Sequence, residues 1–284
     1  MSQPRTTLPR RVVVIGAGMG GLAATLLLAA AGHHVTVLER ADAPGGKVRQ
    51  VAIGDALLDA GPTVFTMRWV FDALFEAAGT RLEEHLTLRP ASVLARHAWN
   101  ATERLDLYAD INRSAAAIEA FAGPAEARGY RAFCARARDV YATLEQPFIS
   151  GARPTPLSLA ASTGLGGLSR ISPFATLWRA LGDHFHDPRL QQLFGRYATY
   201  CGASPFLAPA TLMLVAHVEQ AGVWLVDGGM HALARALAAR AEALGATLRL
   251  GADVASIQAE GGQVRGVVLA DGTALAADAV VANA

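Results

Sequence analysis

The sequence predicts an α/β protein in which the two ends build a Rossmann-like dinucleotide-binding domain around an inserted α+β segment. Three observations predict it. Val12-Val-Val-Ile-Gly-Ala-Gly-Met-Gly-Gly-Leu-Ala-Ala-Thr25 reads as an apolar strand, a glycine turn and a helix. Glu39 closes a second apolar strand, Val35-Thr-Val-Leu-Glu39, eighteen residues beyond Gly21. After residue 222 the chain returns to a helix-and-strand pattern that reaches Ala279-Val-Val-Ala282, a short apolar run suited to a buried parallel sheet.

Each glycine of the first turn has its own task. Gly16 permits the tight turn, Gly18 lets backbone approach a pyrophosphate, and Gly21 lets the helix pack closely on the strand. The helix N-terminus offers free N–H groups to phosphate oxygens. Glu39 is placed to accept hydrogen bonds from a ribose diol. A lone GxGxxG is a weak signal, but the flanking strand and helix and the acid at this offset make it a strong one. Residues 12 to 31, following Arg10-Arg11, also imitate a transmembrane helix of ~20 apolar residues or a signal peptide. Against both, Gly16, Gly18, Gly20 and Gly21 would weaken one continuous helix by ~1 kcal/mol each relative to alanine. Gly32 then stands where a helix C-cap belongs.

The loop Ala43-Pro-Gly-Gly-Lys47-Val-Arg49 follows, and its glycines again let backbone meet a ligand; Asp59-Ala-Gly-Pro-Thr63 is a further tight turn. Val70, Leu74, Ala77 and Ala78 predict an amphipathic helix from Trp69 to Gly79. Short strands are expected over 82–110, including Leu86-Thr-Leu88 and Leu105-Asp-Leu-Tyr108. Residues 112–145 read as helix, broken near Gly123-Pro124 and Gly129. Residues 150–175 are rich in Gly, Pro and Ser without a charge run, which suggests a long loop or lipid-facing stretch. Gly228-Gly229 precedes a helix with Met230, Leu233, Leu237, Ala241 and Leu244 on one stripe, stopped by Gly245. Strands are expected at Thr247–Leu250, Asp253–Ile257, Val264–Leu269 and Thr273–Leu275, the last two flanking the hairpin signal Asp271-Gly272.

Composition narrows the functional classes. At 284 residues, 52% apolar and 17% charged, the chain can bury a large core. A net charge of +1 with scattered arginines offers no case for nucleic acid. Cys134 and Cys201 lack CxxC spacing, which points to a reduced intracellular protein while leaving one disulfide open. His184 and His186, with Asp183 and Asp187, lack a third nearby histidine or a cysteine, and Asp187-Pro188 reads as a helix start, so no metal is expected. Ser150, Ser158 and Ser162 carry no GxSxG elbow.

Together these pieces resemble the FAD-dependent carotenoid desaturases, the phytoene-desaturase-like group within the wider amine-oxidase-like flavoproteins. The resemblance rests on Val14-Ile-Gly-Ala-Gly-Met-Gly-Gly-Leu22, Gly45-Gly-Lys47, Asp59-Ala-Gly-Pro-Thr63, Val226-Asp-Gly-Gly-Met230-His-Ala-Leu233 and Asp278 to Asn283, and it covers essentially the whole chain. Gly61 to Trp69 and Leu193-Phe-Gly-Arg-Tyr-Ala-Thr-Tyr200 look most like the hydroxyneurosporene or methoxyneurosporene desaturase branch. It implies a Rossmann-like FAD-binding domain over 1–70 and 222–284, with an inserted α+β substrate domain over 71–221. Gly16, Gly18 and Gly21 would hold the FAD pyrophosphate, and Glu39 the adenosine ribose, with Arg40 beside it. Gly45, Gly46 and Lys47 would follow the diphosphate and ribityl region, Gly61, Pro62 and Thr63 would approach the flavin, and Val254 would contact adenine through its backbone. Members of the group are longer, and the sequence stops at Asn283-Ala284 just after an apolar strand. The resemblance therefore implies a C-terminally truncated member.

The implied reaction passes a hydride from an acyclic carotenoid to flavin and loses a proton from the adjacent carbon. Arg196, Tyr197, Tyr200 and Trp224 are the candidates to line the polyene path, with Arg196 and Tyr197 the weak candidates for catalysis. The lipophilic substrate implies a cytoplasmic enzyme peripheral to the inner face of the cell membrane, and Pro154 to Leu181 could lie on that surface. Another amine-oxidase-like flavin oxidoreductase, a polyene isomerase and an inactive nucleotide-binding fragment stay open as alternatives. The Gly45-Gly46-Lys47 loop fits a flavoprotein better than an NAD-dependent dehydrogenase.

Overall fold

The structure, a computed structural model, describes residues 8–145 and 175–283. Ser150, Ser158, Ser162 and most of the Pro154–Leu181 stretch lie outside the described residues. The chain divides into two compact units, one of Met1–Arg89 with Trp224–Ala284 and the other of Pro90–Val223.

The first unit is built on a four-stranded parallel sheet in the order Ala279–Ala282, Arg11–Ile15 (β1), His34–Leu38 (β2), Thr247–Arg249. Val13 of β1 faces Thr36 on one side and Val280 on the other. Alternation along β1 divides its side chains between two cores. Val12 and Val14 join Leu22 and Leu26 of the helix Met19–Ala30 (α1), together with Leu233 and Leu237 of the helix His231–Ala243. Val13 instead meets Val267, Leu269 and Ala277, carried by and beside a three-stranded antiparallel sheet. Each such buried aliphatic side chain contributes roughly 1.5–3 kcal/mol.

The α1 helix ends as its glycine predicts. Gly32 has φ +84° and donates to the Ala29 carbonyl, while His33 donates to that of Leu28. This is a Schellman closure, which satisfies carbonyls the helix would otherwise leave open. Residues 12–31 thus form strand, turn and helix, and among the described residues no helix is long and apolar enough to cross a membrane.

Several elements differ from the sequence expectation. Leu86-Thr-Leu88 is not a strand: Leu82–Glu84 forms a short 3₁₀ turn that buries Leu82, and pairing starts at Leu88. A hairpin of Gln50–Ile53 and Ala56–Asp59 was not anticipated. Its Val51, Ile53, Leu57 and Leu58 are all exposed, so no polar–apolar alternation marks it in the sequence.

The second unit packs helices against the hairpin Val93–Ala98/Arg104–Tyr108. Asp110 caps the helix Ile111–Ala122 by accepting the Arg113 N–H at 2.7 Å, and Pro124 opens the helix Pro124–Leu144 after Gly123. Gly129 does not break that second helix. A Cβ there would stand 1.9 Å from the His184 carbonyl oxygen, so the glycine serves a close backbone approach. Phe133, Phe185 and Phe194 centre the core, with Phe185 stacked on Phe194 at 4.6 Å. Helices Leu177–Gly182, Pro188–Gly195 and Leu214–Gln220 also contribute to it.

Candidate functional site

The glycine turn after β1 stands at the carboxyl end of the parallel sheet, where strand order reverses between β1 and Ala279–Ala282. Ligands of open α/β sheets bind outside such a switch point. Gly16 has φ +94°, a conformation L side chains rarely adopt. Gly21 lies so close to Gly16 that no side chain fits between them. Gly18 is different: an added Cβ would meet no protein atom within 4 Å except the Asn283 Nδ2 at 3.8 Å. Space at Gly18 is therefore open, whereas the backbone fills it at Gly21. Gly18 caps α1 without any side-chain hydrogen bond, and the first turn of α1 holds no acid. This N-terminus can accept phosphate oxygens.

Two further loops gather beside that turn. Gly45 bridges Gly18, its N–H reaching the Ala17 carbonyl at 2.8 Å, and Gly46 lies within 3.2 Å of Gly18 when its Cβ position is considered. Gly61 in turn rests against the Lys47 carbonyl, where a Cβ would come to 1.9 Å. Gly46, Lys47, Gly61, Pro62 and Thr63 are exposed, and Lys47 makes no ion pair among the described residues. Asp59, just before the last turn, accepts the Met230 N–H at 2.8 Å and so joins the Asp59-Ala-Gly-Pro-Thr63 turn to the start of His231–Ala243. Three glycine segments far apart in sequence therefore share one rim.

Glu39 is buried, and its carboxylate accepts the Ala17 N–H at 2.7 Å and the Ala41 N–H at 2.9 Å. Each oxygen has capacity for a further donor, so the same group can brace the glycine turn and receive a diol. Arg40 beside it is exposed. The Glu39 carbonyl accepts the Ala252 N–H at 2.8 Å, which brings half-buried Val254 to within two residues of that junction.

Asn283 belongs to this rim, a position no spacing rule singled out. Its N–H donates to the Ile15 carbonyl at 2.9 Å, and its side-chain amide faces Gly18, Gly20 and Gly21. The parallel pairing of Ala279–Ala282 with β1 carries it there.

The second unit holds its own polar cluster, gathered on a buried carboxylate. Glu219, 5% exposed, receives Arg196 through two hydrogen bonds at 3.0 and 2.6 Å. Tyr197 and Tyr200 donate their hydroxyls to the same carboxylate at 3.2 and 2.8 Å. Burial, then the Glu219 charge, push the Tyr197 phenol well up and that of Tyr200 to about 12. Burial works to lower the Arg196 pKa, but Tyr197 and Glu219 outweigh it and the guanidinium stays charged. At neutral pH Arg196 and Tyr197 both keep their protons, so neither can act as a general base. Trp224 lies elsewhere, in the first unit, edge-on to Phe65 at 6.4 Å. Sequence reading found Arg196 and the tyrosines but missed Glu219, which comes from another element. His184 and His186 do not converge with other ligands: among the described residues no group of three or more His, Cys, Asp or Glu could hold a metal. Cys134 and Cys201 are both free thiols.

The sequence profile of the flavin containing amine oxidoreductases matches residues 19–284. A hydroxyneurosporene desaturase of Rubrivivax gelatinosus is 56% identical over all of this chain and 54% of its own length. The hydroxyneurosporene desaturase of Cereibacter sphaeroides is 47% identical over 96% of this chain and 56% of its own. The chain thus spans about half the length of the curated relatives it matches. A solved structure of putrescine oxidase bound to putrescine superposes with TM-score 0.65 at 19% identity, covering 96% of this chain and 57% of that one, a likeness of fold.

Proposed function

The chain belongs to the flavin-containing amine oxidoreductase family, and from that premise we propose that it carries the FAD cradle and substrate domain of a carotenoid desaturase acting on an acyclic polyene. The observation that carries this reading is the 56% identity, across the full chain, to a hydroxyneurosporene desaturase. The cradle supports FAD: Gly18 leaves open space, the start of α1 is uncapped, and the loops at Gly45 and Gly61 meet beside it. In this reading Gly16, Gly18 and Gly21 hold the pyrophosphate. Glu39 takes the ribose diol, with Arg40 alongside, and the Val254 backbone meets adenine. Gly45, Gly46 and Lys47 follow the diphosphate and ribityl chain, and Gly61, Pro62 and Thr63 lie nearest the ring.

When bound, FAD would supply the hydride acceptor for an allylic C–H bond of the polyene. The protein's own contribution is to orient it and to hold an apolar chain out of water. Residues 71–221 form the substrate domain in this reading; the compact unit Pro90–Val223 and its largely apolar core support its greater part, whereas residues 71–89 pack with the first unit. Because a long polyene resides in the bilayer, we infer peripheral contact with the cytoplasmic face of the cell membrane.

Purified protein should be yellow, with flavin absorbance that chromatographs as FAD after denaturation. Expressed in a host that accumulates acyclic carotenoids, it should raise the number of conjugated double bonds. A flavin-loaded protein that leaves this number unchanged would overturn the desaturase reading, and a change in double-bond geometry alone would point to an isomerase. Co-sedimentation with liposomes tests the membrane contact; recovery wholly in the supernatant would refute it.

A further inference from the structure

The first glycine turn uses Gly16 for its bend, Gly18 for its open face and Gly21 for its helix contact. Gly20 has none of these tasks. It lies in the first turn of α1 and its φ is not positive, so the backbone does not require glycine there. A glycine inside a helix weakens it relative to alanine. What surrounds Gly20 supplies the reason for it. The three atoms nearest to a Cβ built on Gly20 all belong to Asn283: Oδ1 at 2.7 Å, Cγ at 3.5 Å and Nδ2 at 3.6 Å. A methyl group at this position would push the Asn283 amide aside, so the residue that needs Gly20 bare is Asn283.

Asn283 is fixed by its strand and not by its side chain. Before the strand Ala279–Ala282, Asp278 accepts the Arg11 N–H at 2.8 Å and pairs with the Arg11 guanidinium at 2.9 Å. After it, the Asn283 N–H donates to the Ile15 carbonyl at 2.9 Å. With both ends pinned against β1, the register cannot slip by one and turn Asn283 to the opposite face. The side-chain amide, by contrast, makes no hydrogen bond among the described residues. Its Nδ2 stands 3.1 Å from the Cβ position of Gly21 and 3.8 Å from that of Gly18. The donor end of a neutral amide therefore hangs over the turn at which α1 lacks a side-chain cap. An amide N–H₂ has two protons to donate, and hydrogen bonds to phosphate oxygens are charge-assisted. We propose that Asn283 donates to the pyrophosphate of FAD, and that Gly20 is bare so that this amide can reach it. This rests on the FAD reading above and deepens it, adding a ligand from the last strand to those of the three glycine segments.

The test measures binding and stability, not turnover. The flavin-free full chain is titrated calorimetrically with FAD and with ADP, which carries a pyrophosphate without the flavin. N283A should weaken both ligands by the same factor, about tenfold or more, as loss of one hydrogen bond to a charged group implies. N283D should weaken them further, and added salt should recover part of that extra loss by screening carboxylate from phosphate. G20A should move stability and binding in different directions. Its flavin-free Tm should equal or exceed the parent's, while its FAD affinity falls about as far as that of N283A. In the double variant the two losses should not add, because the methyl acts only by displacing the amide. Unchanged FAD affinity in N283A would overturn the proposal, and so would a loss for FAD without one for ADP. Additive losses in the double variant would also overturn it, since the methyl would then block FAD directly. So would a flavin-free Tm of N283A several degrees below the parent's, which would give the amide a structural role instead. If the parent binds neither ligand, the FAD reading itself falls and takes this inference with it.

Discussion

A Cβ on Gly21 would stand 2.0 Å from the carbonyl oxygen of Gly16, so α1 and the turn that precedes it touch backbone to backbone. Gly18, between them in sequence, has no such neighbour. The two positions should therefore respond differently to the same substitution. Gly21→Ala forces the helix off the turn and should cost at least about 1–3 kcal/mol, the range for overpacking, seen as a lowered Tm. Gly18→Ala should keep a Tm within a few degrees of the parent yet lose most of its bound flavin. A Gly18→Ala protein that retains full flavin would count against the cradle.

The Glu39 carboxylate holds two backbone N–H groups, at Ala17 and Ala41. Glu39→Gln keeps one acceptor and turns an N–H₂ toward the other donor. Leaving a buried donor unpaired costs about 1–3 kcal/mol, so the urea midpoint should fall even without flavin present. A midpoint unchanged within error would show that the carboxylate is dispensable to the turn.

Gly129→Ala addresses the second unit. The new methyl would meet the His184 carbonyl oxygen at 1.9 Å. Since neither atom belongs to a flexible side chain, the helix Pro124–Leu144 must shift from the segment that carries His184. A Tm loss of several degrees is expected, with the flavin content per folded molecule unchanged.

Alkaline pH separates Tyr200 from an ordinary tyrosine. Its pKa is raised to about 12 by burial and by the Glu219 charge. For a group raised on folding, the stabilisation is fully present below the unfolded pKa, ~10 for tyrosine. It is lost as pH rises from there to about 12. Difference absorbance of Tyr200→Phe against the parent should remove one phenol titrating near that value. Loss of a phenol titrating near ~10 instead would mean that Tyr200 does not meet Glu219.

Much of the cradle is legible in the chain because its parts are local. A strand, a turn glycine with positive φ and a capped helix follow one another within residues 11–32, and propensity and periodicity speak directly to each. The hairpin at Asp271-Gly272 is legible for the same reason, with Gly272 at φ +86°. The hairpin Gln50–Asp59 escaped because its apolar residues face outward, which erases the alternation that marks a half-buried strand. Gly129 misled because a glycine in a helix reads as a break, whereas here the constraint comes from a segment 55 residues away, at His184.

The sequence by itself determined the βαβ start, the glycine positions, the acid at Glu39 and the family to which they belong. Only the tertiary structure decided that Asn283 lies over the first glycine turn, that the loops at Gly45 and Gly61 meet beside it, and that Glu219 gathers Arg196, Tyr197 and Tyr200. The physical reason is range. Backbone preferences act over a few residues and leave a pattern in the chain. Hydrogen bonds between distant segments arise only when packing brings them together, and they impose no spacing that a sequence must display.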